Sequence, residues 1–517
     1  MDNQIKTHIP KFGKNIIEML MFNMYDECKV IYREYIQNSF DAIQQAVEQK
    51  ILNSIDDGMV NVNIDSKHRT VTIRDNGTGV TLEKAAATLL DIAASEKDGY
   101  TQAGQYGVGR LVGAGFCSRI IFRTKAMGDE YGTEVIINSD EARSIIRDKN
   151  DHSDAATVID VISQISQFTG DENHFFEVTL ENIKEGYDIL LSETEVMSYL
   201  EGVAPVDYSF QFKNILISNN PEFKKIHSSM KFVKLSVNNK PINKKYGLKI
   251  IGTDDDILSL DVFHLKDEDG VELAWGWYAV TPFTKEIPEV YNDVIEPNRG
   301  IRLRKNNIQI GDAKLLDKFF HEARGNHYFY GEIHVVSPEI VPDSTRQGLS
   351  STHEALTLYE LLRSKFSELR QMYYMASELK RAVRDLNVGV SKVNSEDEKV
   401  DKVEAKGEVE KALKTIEKAS SKEIASTAAG TPLVEYYKKK SDDIQTKGGD
   451  NIVEKKKPTS QSVKVVPSDE LSVLAEKYSL ETIKVIRKVF ALLRKKWDSD
   501  NKATLEKLIA DLIKALR

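Results

Sequence analysis

The 517-residue chain has only two cysteines, Cys28 and Cys117. So few thiols exclude a disulfide scaffold or a cysteine-built zinc site and agree with a reducing cytosol. Positive charge is not in excess. The 71 Lys and Arg stand against 80 Asp and Glu, for a net charge of −9. That argues against a chain devoted mainly to nucleic acid, which carries a basic footprint; a local basic patch stays open. No run approaches the roughly 18 apolar residues of a membrane span. The opening MDNQIKTHIPKFGKN lacks the apolar core of a secretory signal. A cytoplasmic protein without membrane association is therefore expected. No internal repeat is visible, and no topoisomerase tyrosine or nuclease motif stands out.

Apolar residues make up 41% and charged residues 29%, enough for real cores and for long charged surfaces. The length suggests about three or four domains, and the pattern predicts an α+β fold in four regions. Residues 1–185 mix helices with short alternating strands such as RTVTIRDNG and FFEVTLENI. Residues 186–390 continue with GIRLRKNNIQIG and GEIHVVSPEIV and close in a long helical stretch. Residues 391–466 are rich in Lys, Glu and Ser with few large apolar residues, which reads as a flexible linker. Residues 467–517 read as two amphipathic helices for self-association or partner docking.

Three motifs carry the chemistry. In YREYIQNSFDAIQQA, helical spacing puts Tyr32, Ile36, Ser39 and Ile43 on one side and Glu34, Asn38, Asp41 and Gln45 opposite. A solvated face and a ligand-facing stripe both satisfy that pattern. VTIRDNGTGV predicts a strand ending at Asp75. The DNG is either a tight turn or a strand-end carboxylate placed to accept from an adenine amino group, with Gly77 and Gly79 letting the base approach the backbone. In GQYGVGRLVGAGF, Gly104, Gly107 and Gly109 lead into a predicted apolar helix. Such a start is a phosphate site or simply a close-packed loop. It has neither G-x-G-x-x-G spacing nor the Gly-Lys-Ser/Thr of a P-loop.

In this order the three motifs resemble the boxes of the GHKL (Bergerat-fold) ATPases: gyrase-type topoisomerases, the ninety-kilodalton heat-shock chaperones, histidine kinases and mismatch-repair MutL. The resemblance implies an N-terminal α/β-sandwich domain that binds ATP with Mg²⁺, followed by an α/β transducer domain and a helical C-terminal region. It implies Glu34 as the base, Asn38 as the metal ligand, and Asp41, Asp75, Gly77, Gly79, Gly104, Gly107 and Gly109 as nucleotide contacts. The chemistry agrees. Mg²⁺ takes few oxygen ligands from protein, and a neutral Asn38 amide supplies one without adding charge. Glu34, one turn earlier, can orient and deprotonate the attacking water.

The histidine-kinase branch is disfavoured because no acceptor-histidine helix is visible ahead of Glu34; His8 lies just before Pro10. MutL shares the flavour of Asn38 to Ala42. The flanks look most like the ninety-kilodalton chaperones. GQYGVGR resembles their G-Q-F-G-V-G, which adds Gln105, Tyr106 and Val108 to the phosphate loop. IAASEK resembles their lid entry, with Ser95 and Lys97 as polar contacts. NRGIRLRKNNIQIGD and HYFYGEIHVVSPEIVPDSTRQGL parallel their middle domain and imply Arg346 as the arginine facing the γ-phosphate, with Arg302, Arg304 and Lys305 as alternatives. The resemblance covers residues 10–370 and then departs. The stretch from Ser95 to Gly104 is shorter than the chaperone lid. A Gly-Thr box ahead of FFEVTLENI is missing, since GTEVIIN sits too early. The chaperones' large C-terminal dimerisation domain has no counterpart. The implied function is an ATP-gated homodimeric clamp acting on a protein client, in stress or defence. The alternative is a DNA-handling ATPase of the MutL, microrchidia or topoisomerase type, which the acidic charge disfavours.

Overall fold

The computed structural model describes residues 12–25, 27–91, 109–170, 173–244, 246–250, 255–284, 299–395 and 401–447. All of them belong to one compact unit, Met1–Ile452. The predicted C-terminal helices of 467–517 lie outside the described residues.

Alternating apolar residues build the first sheet. In β1 (Met59–Asp65) and β2 (Thr70–Asp75), Val60, Val62, Val71 and Ile73 point to one buried face, as period-two patterning requires. Six further strands complete it: β3 (Arg119–Lys125), β4 (Gly132–Asn138), β5 (Ser163–Phe168), β6 (Phe175–Glu181), β7 (Lys234–Val237) and β8 (Lys240–Ile242), in the order β5-β4-β3-β6-β2-β1-β7-β8. A helical layer covers the buried face. It contains α1 (Asn15–Met21), α2 (Val30–Glu48), α4 (Ser139–Arg147), α5 (Ala155–Ile162) and α6 (Glu193–Val203), while α3 (Leu82–Leu90) follows the DNG segment.

The boundary expected at 185 falls in the wrong place. The β7 strand pairs parallel with β1, and Val196, Leu200 and Val203 of α6 share the first core. A parallel partner needs a long crossover, so the chain passes through α6 and α7 (Pro221–Ser229) before returning to the sheet. The first sheet therefore closes only at Ile242.

The second sheet has the order β12-β11-β13-β10-β9. Its strands are β9 (Ser259–Lys266), β10 (Glu272–Val280), β11 (Gly300–Lys305), β12 (Ile308–Gln309) and β13 (Tyr330–Val335). The β11–β12 turn holds Asn306 and Asn307 at φ +50° and +62°, the conformation of a two-residue hairpin. Against this sheet packs α8 (His353–Val393), whose N-terminal cap is the Thr352 side chain accepting from Ala355 N.

The flexible linker expected over 391–466 is corrected for most of its length. Here α9 (Lys402–Ser420) and α10 (Gly430–Lys447) form a helical layer with α8. The stripe Ala405, Val409, Ala412, Ile416 and Ala419 is buried. It is made mostly of small residues, so a count of large apolar side chains passes over it. Small size is what the packing needs: a Cβ on Gly389 of α8 would lie 2.9 Å from Val409 Cγ2. Among the described residues no helix is long and apolar enough to cross a membrane.

Candidate nucleotide site

The polar stripe of α2 is only partly open to water. Glu34 is 7% exposed and Asp41 4%, while Asn38 is partly exposed. The Glu34 carboxylate sits where three segments meet. Arg33 Nη2 lies 3.4 Å from its Oε1, and Arg346 Nε, from the second sheet's side of the molecule, lies 3.9 Å from the same oxygen. On the third side, a Cβ added to Gly109 would stand 2.9 Å from Glu34 Oε2. Glycine there leaves the carboxylate its room. Both arginines are buried. Burial pushes the Arg346 guanidinium below its ordinary pKa, against the pull of Glu34.

Farther along α2 lies Asp75, at the end of β2 and 4% exposed. Its Oδ1 accepts the Gly77 amide at 2.9 Å. Burial lifts its pKa to about 6, against the opposing hydrogen bonds from Ser39 and Gly77. The loop after it presses on its surroundings. A Cβ on Gly77 would lie 2.7 Å from Ala42 Cβ. Gly79, at φ +64°, would put one 2.0 Å from the Lys125 carbonyl oxygen. No other residue type fits either position. The two clusters, Glu34–Gly109 and Asp75–Gly77, are joined by a single helix, with Asn38 between them.

Residues 27–166 match the family model described as histidine kinase-, DNA gyrase B-, and HSP90-like ATPase. The N-terminal region is a GHKL-type ATPase domain. Among similar proteins, the chaperone protein HtpG of Halalkalibacterium halodurans is 31% identical over 135 residues, 23% of this chain and 22% of that protein. HtpG of Bacillus licheniformis is 28% identical over 177 residues, 31% of this chain and 28% of its own. HtpG of an Enterobacter species is 27% identical over 205 residues, 36% and 30% respectively. The matched part thus spans less than a third of the length of these relatives.

Within the GHKL domain, the structure places Gly109 beside Glu34 and Gly77 beside Asp75, with Asn38 and Asp41 on the same helix as Glu34 and Gly79 in the loop after Asp75. Ser95, Lys97, Gly104, Gln105, Tyr106, Gly107 and Val108 lie outside the described residues. The apolar helix expected after the glycine box is a 3-10 segment, Gly109–Gly115. Its three glycines weaken an α-helix, and a Cβ on Gly113 would meet Leu180 Cδ2 at 2.5 Å. Of the four basic candidates, Arg302, Arg304 and Lys305 are held by partners other than Glu34. Arg302 bonds Gln309, Arg304 pairs with Glu332, and Lys305 donates to the carbonyls of Ser337 and Pro338.

Three residues of the site went unread in the sequence. Arg33 pairs with Glu34 and donates to the Thr345 carbonyl at 3.2 Å. Its only local signal is a charge beside Glu34; its other partner lies far along the chain. Ser39 shares the apolar side of α2 by helical spacing, yet it bonds Asp75. His174 precedes FFEVTLENI, where the Gly-Thr box is missing, and its Nδ1 lies 2.7 Å from the Gly77 carbonyl oxygen. The donor set suits Mg-ATP. Among the described residues no three His, Cys, Asp or Glu side chains converge on a metal position. A hard cation that draws most ligands from phosphate and water needs only an oxygen such as that of Asn38.

Proposed function

We propose that the protein is an ATP-driven molecular clamp of the chaperone type, binding and hydrolysing Mg-ATP to close two copies of the chain around a protein client. The observation that carries this reading is the approach of Arg346 to Glu34 at 3.9 Å, because it ties the second sheet's loop to the nucleotide site. Asp75 accepts the adenine amino group, and Gly77 and Gly79 admit the base. Asn38 would hold Mg²⁺, which when bound neutralises phosphate charge. Glu34 orients and deprotonates the attacking water. Arg346 leaves Glu34 for the γ-phosphate and stabilises the charge that grows there. Chemistry at the first sheet is thereby coupled to movement of the second.

In the full chain, Arg346→Ala should bind ATP normally and lose roughly 10²-fold in turnover, the scale of one lost transition-state donor. Phosphate release at saturating ATP measures this, and native turnover rejects the role. Mass in solution with a non-hydrolysable ATP analogue tests closure; a mass unchanged from the nucleotide-free protein rejects the dimeric clamp. Added duplex DNA should leave turnover unchanged.

Asp75→Ala should abolish measurable ATP binding, since a site built around a buried hydrogen bond tolerates its loss poorly. The native protein should also lose ATP affinity as pH falls through about 6. Above that pH the Asp75 carboxylate is ionised and accepts the amino proton; below it the group is protonated. Calorimetry from pH 5 to 8 reads this directly, and a flat profile, or unchanged affinity in Asp75→Ala, removes Asp75 from adenine recognition.

A further inference from the structure

Arg346 reaches Glu34 from an uncommon backbone. Its φ is +56°, a left-handed conformation that is strained for a non-glycine L-residue and persists only where the surroundings enforce it. Several contacts do so. Within the loop, Asp343 Oδ1 accepts the amides of Thr345 and Gln347 at 3.0 and 3.1 Å. From outside, the Arg346 carbonyl accepts the Gly311 amide at 2.7 Å.

Gly311 is itself fixed. It lies just beyond β12 at φ +65°. A Cβ there would stand 2.8 Å from Leu315 Cδ2 and 3.1 Å from the Gln347 carbonyl oxygen. Its own carbonyl accepts Gln309 Nε2 at 3.0 Å, and Gln309 Oε1 accepts Arg302 Nη1 at 3.0 Å. Gln309 and Arg302 are 2% and 5% exposed, so water does not compete for these bonds. A second strap runs from the same hairpin. Lys305 Nζ donates to the carbonyls of Ser337 and Pro338 at 3.0 and 3.3 Å, at the start of the stretch that leads to Arg346.

We propose that Gln309 and Gly311 are positioning residues for Arg346: the β11–β12 hairpin holds the left-handed backbone that aims the guanidinium into the nucleotide site. This rests on the reading of Arg346 as the γ-phosphate arginine. Both residues act through Arg346. The Gly311 amide fixes the Arg346 carbonyl, and the missing Cβ lets the two segments close on each other. Gln309 clamps the Gly311 peptide from behind. A loop freed of these bonds relaxes toward ordinary φ and swings the side chain away.

The test uses full-length protein carrying Gly311→Ala, Gln309→Leu or Arg346→Ala, and each positioning change combined with Arg346→Ala. ATP affinity is read by calorimetry, turnover by phosphate release, and folding by thermal melting. Gly311→Ala should lower kcat about tenfold or more, equivalent to about 1.4 kcal/mol of barrier, with ATP affinity unchanged. Gln309→Leu should lower it less. In the Arg346→Ala background neither should lower kcat further, because residues acting through one side chain are not additive. Losses that multiply in the double variants overturn the proposal, since a general structural defect does that. Native kcat in Gly311→Ala beside an impaired Arg346→Ala overturns it as well and leaves the role of Arg346 standing. Native kcat in Arg346→Ala overturns both. Should Gly311→Ala fail to fold, Gln309→Leu and its double variant decide by the same criteria.

Discussion

Glu34→Ala is expected to bind ATP with nearly native affinity and to turn it over about 10²–10⁴-fold more slowly, the contribution of a positioned general base. The two halves of the site separate the effects. In the proposed reading adenine recognition falls to Asp75, at the end of β2, whereas the Glu34 carboxylate contacts Arg33 and Arg346 and faces Gly109. On that reading, losing Glu34 removes the group proposed to act on water and leaves those proposed to hold the base. It also leaves two buried guanidinium groups without their shared carboxylate, so some loss of stability is expected and has to be measured alongside. Glu34→Gln separates these effects. It keeps the volume and a hydrogen-bond acceptor for the arginines but cannot take a proton, and its turnover should be as low as that of Glu34→Ala. Calorimetry gives the affinity and single-turnover phosphate release gives the rate. Near-native turnover in either variant would remove Glu34 from the chemistry.

The parts of this molecule that were legible in sequence are those whose pattern is local. Alternation through TVTIRD gave β2 and put Asp75 at its end, and 3.6-residue spacing gave the α2 stripe. Spacing alone could not say whether that stripe meets water or ligand; the order of three motifs pointed to ligand. What stayed hidden depends on distant partners. The β7 strand joins the first sheet by parallel pairing with β1, and no local signal specifies a partner that far back in the chain. The α9 and α10 helices look like solvated tether because alanine counts little in an apolar tally, yet Ala405, Ala412 and Ala419 let α9 approach α8 closely. Arg33 and Arg346 share no stretch of sequence, and only folding brings them to one carboxylate.

The largest effect on stability is expected at Glu332, which no sequence pattern marked. It is fully buried on β13 between two equally buried cations. Its Oε1 lies 2.6 Å from Arg304 Nε and its Oε2 2.9 Å from Lys244 Nζ. The hydroxyls of Tyr208 and Tyr246 donate to the same carboxylate at 2.6 and 3.1 Å. Burial would raise the Glu332 pKa, but Arg304 and Lys244 overcome it and hold the group well below the usual carboxylate range. Burial in turn lowers Lys244 to about 7. The cluster spans the joint between the sheets. Arg304 also donates to the Gly202 carbonyl on α6, and the Lys244 amide to that of Asp207. Glu332→Ala would leave Arg304 and Lys244 buried without an anion, a defect that costs about 3–5 kcal/mol. Denaturant titration of the full chain should show it as a lower midpoint, with Lys244→Met milder because the Arg304–Glu332 pair survives. The functional consequence follows from place. Arg304 lies on β11, the strand whose hairpin reaches Gly311 and Arg346, so a loosened joint should lower turnover before it lowers ATP affinity. A Glu332→Ala protein as stable as the native one would mean that the two cations find other partners and that the sheets do not depend on this carboxylate.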